Sequence, residues 1–358
     1  MIKRNGRKWI ALSLVCFTLG VGWAIWQKKN QSQLMARNAP LRVLCAENWI
    51  STTALDKFSK SNNVRVQLYT YASPSEFLRQ MANAEGKIDV ICSSSLLLRS
   101  LVRARWLKKM NFQGLANAKL LSVDFTHLPY DPDSEYSVPV YWTLMGFFGK
   151  GESPKAETWR ETLSSSRISL WGEELNVLQT MNRMGMNVEE RLQEDTRNPK
   201  SVDAEVRNFT KLIVQVLKPD LAPIAAETMM ARADWVLLPL PRVARLLGAQ
   251  SPYRFWLPED GATFELGLFS VGAESTQPEL SMKLINELIS TEEALATHQR
   301  LDTGVVHASL SGLNSIAPLQ KPQAIRQFAL NRLKFPDLSL DVLPRFQKIF
   351  DENIVPQR

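Results

Sequence analysis

The chain is poor in the residues and signatures that catalysis uses. It has three histidines, His127, His298 and His307, in three separate regions. None lies in an HExxH pattern or beside a cysteine pair, so histidine-based zinc sites have no foothold. No GxSxG, GxGxxG or P-loop sequence occurs. Their absence removes the hydrolase elbow, the dinucleotide turn and the phosphate cradle. Each histidine reads instead as a surface or helix-end residue. Cysteine is equally scarce: Cys16, Cys45 and Cys92, without CxxC spacing. That excludes a disulfide-framework fold and a structural zinc module. Internal repeats and low-complexity tracts are missing too. These absences point to binding rather than chemistry, with no enzyme activity, cofactor or metal expected.

Acidic residues are missing from the first 40 positions, which hold Lys3, Arg4, Arg7, Lys8, Lys28, Lys29 and Arg37. Those seven account for the whole net charge of +7 in the 358-residue chain, since the other 36 basic residues are matched by 36 acidic ones. A neutral body argues against a nucleic-acid binder with a basic face. Between the N-terminal charges lies an uncharged run, residues 9–26. As a helix it would span about 27 Å, close to the hydrocarbon thickness of a bilayer. Trp9, Trp23 and Trp26 lie at its ends, where interfacial tryptophan sits. The run closes on Ala-Ile-Trp-Gln-Lys-Lys, a poor match to a small-x-small cleavage site. An uncleaved signal anchor is expected, with cleavage or lipidation at Cys16 as alternatives. Basic residues before the span favour an N-inside orientation. The body is then expected on the periplasmic or extracytoplasmic face, anchored in the inner (cytoplasmic) membrane, with residues 27–39 as a tether.

The body alternates strand and helix. Residues 42–46 read as a strand, followed by a helix with capping-box spacing from Thr53. Residues 64–69 form the next strand. Ser73-Pro74-Ser75-Glu76 is a strong helix start, with Pro at the first helical position, and Gly86 ends that helix. A strand at 88–92 and a helix at 96–102 complete three βα units, which predict a parallel sheet covered by helices. Irregular chain runs to Tyr130, then a β-rich run at 140–148. Further elements are expected at 168–170 (strand), 173–184 (helix), 201–217 (helix), 235–238 (strand), 243–247 (helix) and 264–271 (strand). Helices at 278–289, 291–299 and 341–351 close the chain. Cys45 and Cys92 each end a strand. Two buried thiols are the favoured reading, with an extracytoplasmic disulfide as the alternative.

Several short motifs then come in a fixed order. Asn48-Trp49 follows the first strand, and Asp89-Val90-Ile91 leads to a polar turn at Ser94. Asp131-Pro-Asp-Ser-Glu-Tyr-Ser-Val-Pro139 precedes Trp142, and Pro258-Glu259-Asp260-Gly261 and Lys283-Leu284-Ile285-Asn286 come later. In this order the chain, from about Leu41 to Val355, resembles the periplasmic spermidine/putrescine-binding proteins, the solute receptors of polyamine ABC importers.

The resemblance implies an α/β, two-lobed type II periplasmic-binding-protein fold with two hinge crossovers, preceded here by the N-terminal transmembrane helix. Residues 1–40 would be cytoplasmic stub, anchor and tether. Residues 41–141 with 266–303 would form one lobe, and 142–265 with 304–358 the other. The ligand would be a small molecule, a polyamine such as spermidine or putrescine, and the partners ABC permease subunits. Trp49, Ser94 and Glu173 match binding positions of the family. Glu265, Asn48 and Glu47 are further ligand candidates. Trp142, Trp171, Asn176 and Thr303 are hinge or cleft candidates. Elsewhere the chain departs from the family pattern: Leu96, Leu237 and Thr303 stand at aromatic positions, Asn176 at an acidic one, and a Trp-x-Asp reads Glu265-Leu266-Gly267. Those substitutions leave a second expectation, a membrane-anchored degenerate receptor fold acting as sensor or scaffold.

Overall fold

Leu41–Ala46 is an apolar, largely buried run, and it forms β1, an inner strand flanked on both sides. It pairs in parallel with β2 (Val66–Tyr71) and with β3 (Val90–Ser94). This computed structural model describes residues 39–84, 87–152, 158–171, 174–194, 200–217, 226–328, 333–334 and 338–353. The expected span at 9–26, most of its tether, the helix stop at Gly86 and the candidate Glu173 lie outside the described residues. Among the described residues no helix is long and apolar enough to cross a membrane.

Helices α1 (Thr52–Asn62), α2 (Pro74–Asn83) and α3 (Leu98–Arg103) connect or follow these strands. β4 (Leu107–Lys108), a series of short 3-10 turns and β5 (Val138–Lys150) come next. The chain continues through α4 (Trp159–Ser165), β6 (Ile168–Trp171), α5 (Glu174–Arg183), α6 (Val188–Glu194), α7 (Lys200–Leu212) and β7 (Ile213–Leu217). After α8 (Ala226–Met229), β8 (Trp235–Pro239) and α9 (Leu240–Val243) it returns through β9 (Tyr253–Trp256) and β10 (Ala262–Gly272). The last elements are α10 (Pro278–Leu288), α11 (Thr291–Leu301), β11 (Gly304–Val305), β12 (Leu333–Lys334) and α12 (Leu343–Asn353).

The main sheet order is β2-β1-β3-β10-β5-β8-β6-β7. Two parallel groups, β2-β1-β3 and β8-β6-β7, flank β10 and β5, which run antiparallel to their neighbours. The first part of β5 pairs with β10, and its last part pairs with β8 and β9. β5 and β10 thus join the two groups, and the expected lobe divisions at 141/142 and 265/266 fall inside these two strands.

Local chemistry explains the elements that position the site. Ser73 Oγ accepts the Glu76 N–H at 3.2 Å, and the Glu76 carboxylate accepts the Ala72 N–H at 2.9 Å, so α2 starts where the sequence predicts. Asp131 organises the approach to β5. Its carboxylate accepts from the backbone N–H groups of Glu135, Tyr136 and Ser137 and from Ser137 Oγ, at 2.9–3.0 Å.

Other expectations are corrected. The α1 boundary is Ser51, in extended conformation and without a side-chain cap, not a capping box at Thr53. Burial of Ala54, Leu55 and Phe58 holds that helix. The expected helix at 201–217 ends at Leu212, and Ile213–Leu217 forms a strand parallel to β6. Its β-branched Ile-Val-Gln-Val run favours that state. The expected 243–247 helix is a short α9 running into a 3-10 turn at Ala244–Leu246. Cys45 and Cys92 are not two thiols but a disulfide, with Cα atoms 4.6 Å apart. His127 is exposed, as the surface reading expects. His298 and His307 stand at helix ends but are buried, each held by a hydrogen bond to a backbone carbonyl.

Candidate functional site

Open parallel sheets bind ligands beyond the carboxyl ends of their strands, where side chains from successive loops converge. Here the carboxyl ends of β1, β2, β3 and β8 meet a cleft of about 440 Å³. The middle of the β5–β10 pair forms part of its lining.

The β1–α1 turn carries Glu47, Asn48 and Trp49, and all three line the cleft. Asn48 adopts φ 65°, a left-handed conformation that asparagine tolerates well. Arg300 from α11 clamps this turn: its Nε donates to the Asn48 carbonyl at 2.5 Å, and a terminal nitrogen donates to the Trp49 carbonyl at 2.8 Å. Trp49 meets Tyr141 edge to face, with ring centroids 4.9 Å apart. Ser94, at the end of β3, also lines the cleft, while its Oγ accepts the Leu96 N–H at 3.1 Å. The serine therefore fixes the turn and faces the cleft at once.

Across β5 and β10, Glu265 is the register partner of Thr143, and both line the cleft. The intervening Trp142 is fully buried on the other face, where its indole N–H donates to the Val305 carbonyl at 3.2 Å. Tyr141 lies flat over Gly267, its register partner; a Cβ at Gly267 would collide with the tyrosine ring. Burial pushes the Tyr71 hydroxyl well above the usual tyrosine range, and the negative charge of Glu265 adds to the shift. That hydroxyl donates to the Cys92 carbonyl at 2.8 Å.

Asn176 lines the cleft from the first turn of α5. Its neighbour Glu174 is buried, and both carboxylate oxygens lack a hydrogen-bond partner among the described residues. Burial, reinforced by the charge of Asp351, pushes its pKa up to about 8. Arg242 of α9 also lines the cleft, with its guanidinium 5.1 Å from the centroid of the buried Trp171 ring. Trp171 thus stands behind Arg242.

The turn after α11 supplies Asp302 and Thr303. Two buried side chains hold this turn. The His298 Nδ1–H donates to the Thr303 carbonyl at 2.7 Å, and burial pushes that imidazole below its ordinary pKa. Gln320 Nε2 donates to Asp302 Oδ1 and to the Pro241 carbonyl, each at 2.8 Å.

The fold therefore brings Glu47, Asn48, Trp49, Ser94, Asn176, Glu265 and Thr303 to one cleft. It places Trp142 in the core and Trp171 beneath Arg242. Sequence reasoning missed Tyr71, Tyr141, Arg242 and Asp302. Strand alternation offers a signal for Tyr141, since the face opposite Trp142 is that of Tyr141 and Thr143. The strand-end rule offers one for Arg242, three residues past β8. The cleft combines three carboxylates, one guanidinium and aromatic faces. No group of three or more potential metal ligands exists among the described residues. Such a lining suits reversible capture of a small polar organic molecule.

Comparison with known proteins agrees with this architecture. No family model matches the chain. It is 23% identical over 261 residues to the spermidine/putrescine-binding periplasmic protein of Escherichia coli (strain K12), covering 69% of this chain and 72% of the relative. It is 27% identical over 161 residues to a putrescine-binding periplasmic protein of Pseudomonas aeruginosa, covering 44% and 40%. Among solved structures, a candidate spermidine/putrescine ABC transporter protein from Listeria monocytogenes superposes with a TM-score of 0.66 at 16% identity, covering 89% of this chain and 99% of the other. A spermidine/putrescine ABC transporter substrate-binding protein from Streptococcus pneumoniae gives 0.57 at 13% identity, covering 88% and 98%. The fold is that of the type II periplasmic binding proteins. These relatives are named for binding and transport.

Proposed function

The chain belongs to the family of the periplasmic spermidine/putrescine-binding proteins, and from that premise we propose that it is the extracytoplasmic solute receptor of an ABC importer. Its ligand is a small organic solute bearing at least one amine. The convergence of Glu47, Glu265 and Asp302 with the faces of Trp49 and Tyr141 in one cleft carries this reading. An ammonium leaving water needs carboxylate partners, and aromatic faces attract its charge by about 0.5–2 kcal/mol per contact. Residues 9–26 tether the receptor to the inner membrane, and the sheet halves joined by β5 and β10 are its two lobes.

One observation favours the scaffold alternative. Leu96 and Leu237, at positions where the family resemblance implies aromatic ligand contacts, are buried in the core. The test is affinity capture of the full chain from detergent-solubilised membranes. Recovery of the permease and ATPase subunits of one importer is expected. Consistent recovery of other membrane proteins without those subunits would sink the importer reading.

A further inference from the structure

Arg242 has features that a site for a purely cationic solute would not need. It lines the cleft, is partly buried, and stacks over Trp171 at 5.1 Å. Among the described residues no carboxylate pairs with it within salt-bridge distance. The nearby Asp302 is held by Gln320 instead, and the same glutamine binds the Pro241 carbonyl one residue before Arg242. The guanidinium therefore lies over Trp171, and among the described residues no carboxylate is paired with it.

The opposite side of the cleft has the opposite sign. Glu47 lies on the β1–α1 turn and Glu265 on β10, whereas Arg242 lies beyond β8, across the β5–β10 pair. A diamine would meet the carboxylates well but place its second ammonium in the cleft that the Arg242 guanidinium lines. Like charges brought together in a partly desolvated site repel. A dicarboxylate would meet Arg242 well and Glu265 badly. A molecule with an ammonium at one end and a carboxylate at the other satisfies both. The planar guanidinium offers a carboxylate two parallel N–H donors, a geometry that a lysine could not reproduce.

We infer that the ligand is an amino-carboxylate, a zwitterion whose carboxylate is bound by Arg242 over Trp171 and whose ammonium is bound on the Glu47–Glu265 side. The inference rests on the solute-receptor reading and narrows its ligand class from amines to amino acids in the broad sense.

Isothermal titration of the full-length protein in mild detergent tests it, using matched sets of four and six carbons. The probes are putrescine, 4-aminobutanoate and succinate, then 1,6-diaminohexane, 6-aminohexanoate and adipate. The expected result is that, at one chain length or both, the amino-carboxylate binds at least tenfold more tightly than the diamine and the diacid. Arg242→Met should remove that preference and bring the diamine level or ahead. Arg242→Lys, which keeps the charge, should retain part of the preference and guards against a folding artefact in the methionine variant. If the diamines bind as tightly as the amino-carboxylates, and Arg242→Met leaves the ratio unchanged, the inference falls while the receptor reading stands. If no probe binds at millimolar concentration, and amine-bearing solutes of other shapes fail equally, both fall.

Discussion

At the residue scale the site depends on side chains with two tasks. Trp49 is only partly buried, and its ring is braced by Tyr141. Trp49→Ala removes an aromatic face while leaving the core intact. Its expected effect is a loss of about 1–2 kcal/mol of binding free energy, roughly five- to thirtyfold in Kd, with little change in Tm. Titration calorimetry and a melting curve on the same sample separate the two. Gly267→Ala should act on the same wall from the other side, by forcing the Tyr141 ring off its seat. Weaker binding with preserved secondary structure is expected, and an unaltered Kd would remove Tyr141 from the site.

Glu174 makes a prediction about pH. Its pKa is about 8 in the folded chain against 4.5 for the ordinary group, because burial disfavours the carboxylate. Between these values the folded protein holds a proton that the unfolded chain has lost. Its contribution to stability is full below about pH 4.5 and is lost as pH rises through about 8. Glu174→Gln removes the charge and keeps the shape. Above pH 7 the variant should be more stable, by about 1–3 kcal/mol. Tm measured from pH 5 to 9 should fall less steeply in the variant than in the wild type; parallel curves would contradict the shift. His298 acts in the opposite sense. Its depressed pKa makes stability fall as pH drops below about 6.5.

At the element scale the cleft is built from turns held by residues outside it. Arg300 ties the β1–α1 turn to α11 through two backbone carbonyls. Arg300→Met should speed amide exchange across residues 46–50 and weaken ligand binding about fivefold, the equivalent of one ordinary net hydrogen bond near 1 kcal/mol. Unchanged exchange there would show that the turn holds itself. This is also where the sequence ceases to be legible. The Ser73-Pro74-Ser75-Glu76 start of α2 could be read because its capping bonds are local. The Arg300 clamp joins residues more than 250 positions apart, and no local pattern announces it. Trp142 was a hinge or cleft candidate by its place after the 131–139 motif, yet alternation turns it into the core and presents Tyr141 and Thr143 to the cleft. The β7 error has a related cause: the apolar spacing of residues 201–212 runs straight into a β-branched pentapeptide, and only pairing with β6 marks the change.

At the scale of the whole molecule the alternation of strands and helices was enough to read the parallel sheet, and the ordered motifs to read the fold. Trp49 and Ser94 were marked through the family resemblance, and Glu47 and Glu265 as further carboxylate candidates; all four line the cleft. Arg242 was missed because an arginine after a strand looks like an ordinary surface charge until Trp171 is seen beneath it. The Cys45–Cys92 disulfide links β1 to β3 beside the cleft. Replacing both cysteines with serine should lower stability by about 2–4 kcal/mol, read as a lower Tm under non-reducing conditions. The charge of the chain belongs to this scale as well. A body without net charge offers no acidic field to steer polycations, so selectivity must come from the few groups inside the cleft.

The central claim is that this cleft captures a small amine-bearing solute. Its most direct test is the melting temperature of the full chain across a panel of diamines, amino-carboxylates and α-amino acids. A ligand bound only by the folded form adds RT ln(1 + [L]/Kd), about 2.7 kcal/mol at a hundredfold excess over Kd. At least one member of the panel should raise Tm in a dose-dependent way, and Trp49→Ala should shift that dose response to higher concentration. A Tm that stays flat to millimolar concentrations of every member would contradict the account.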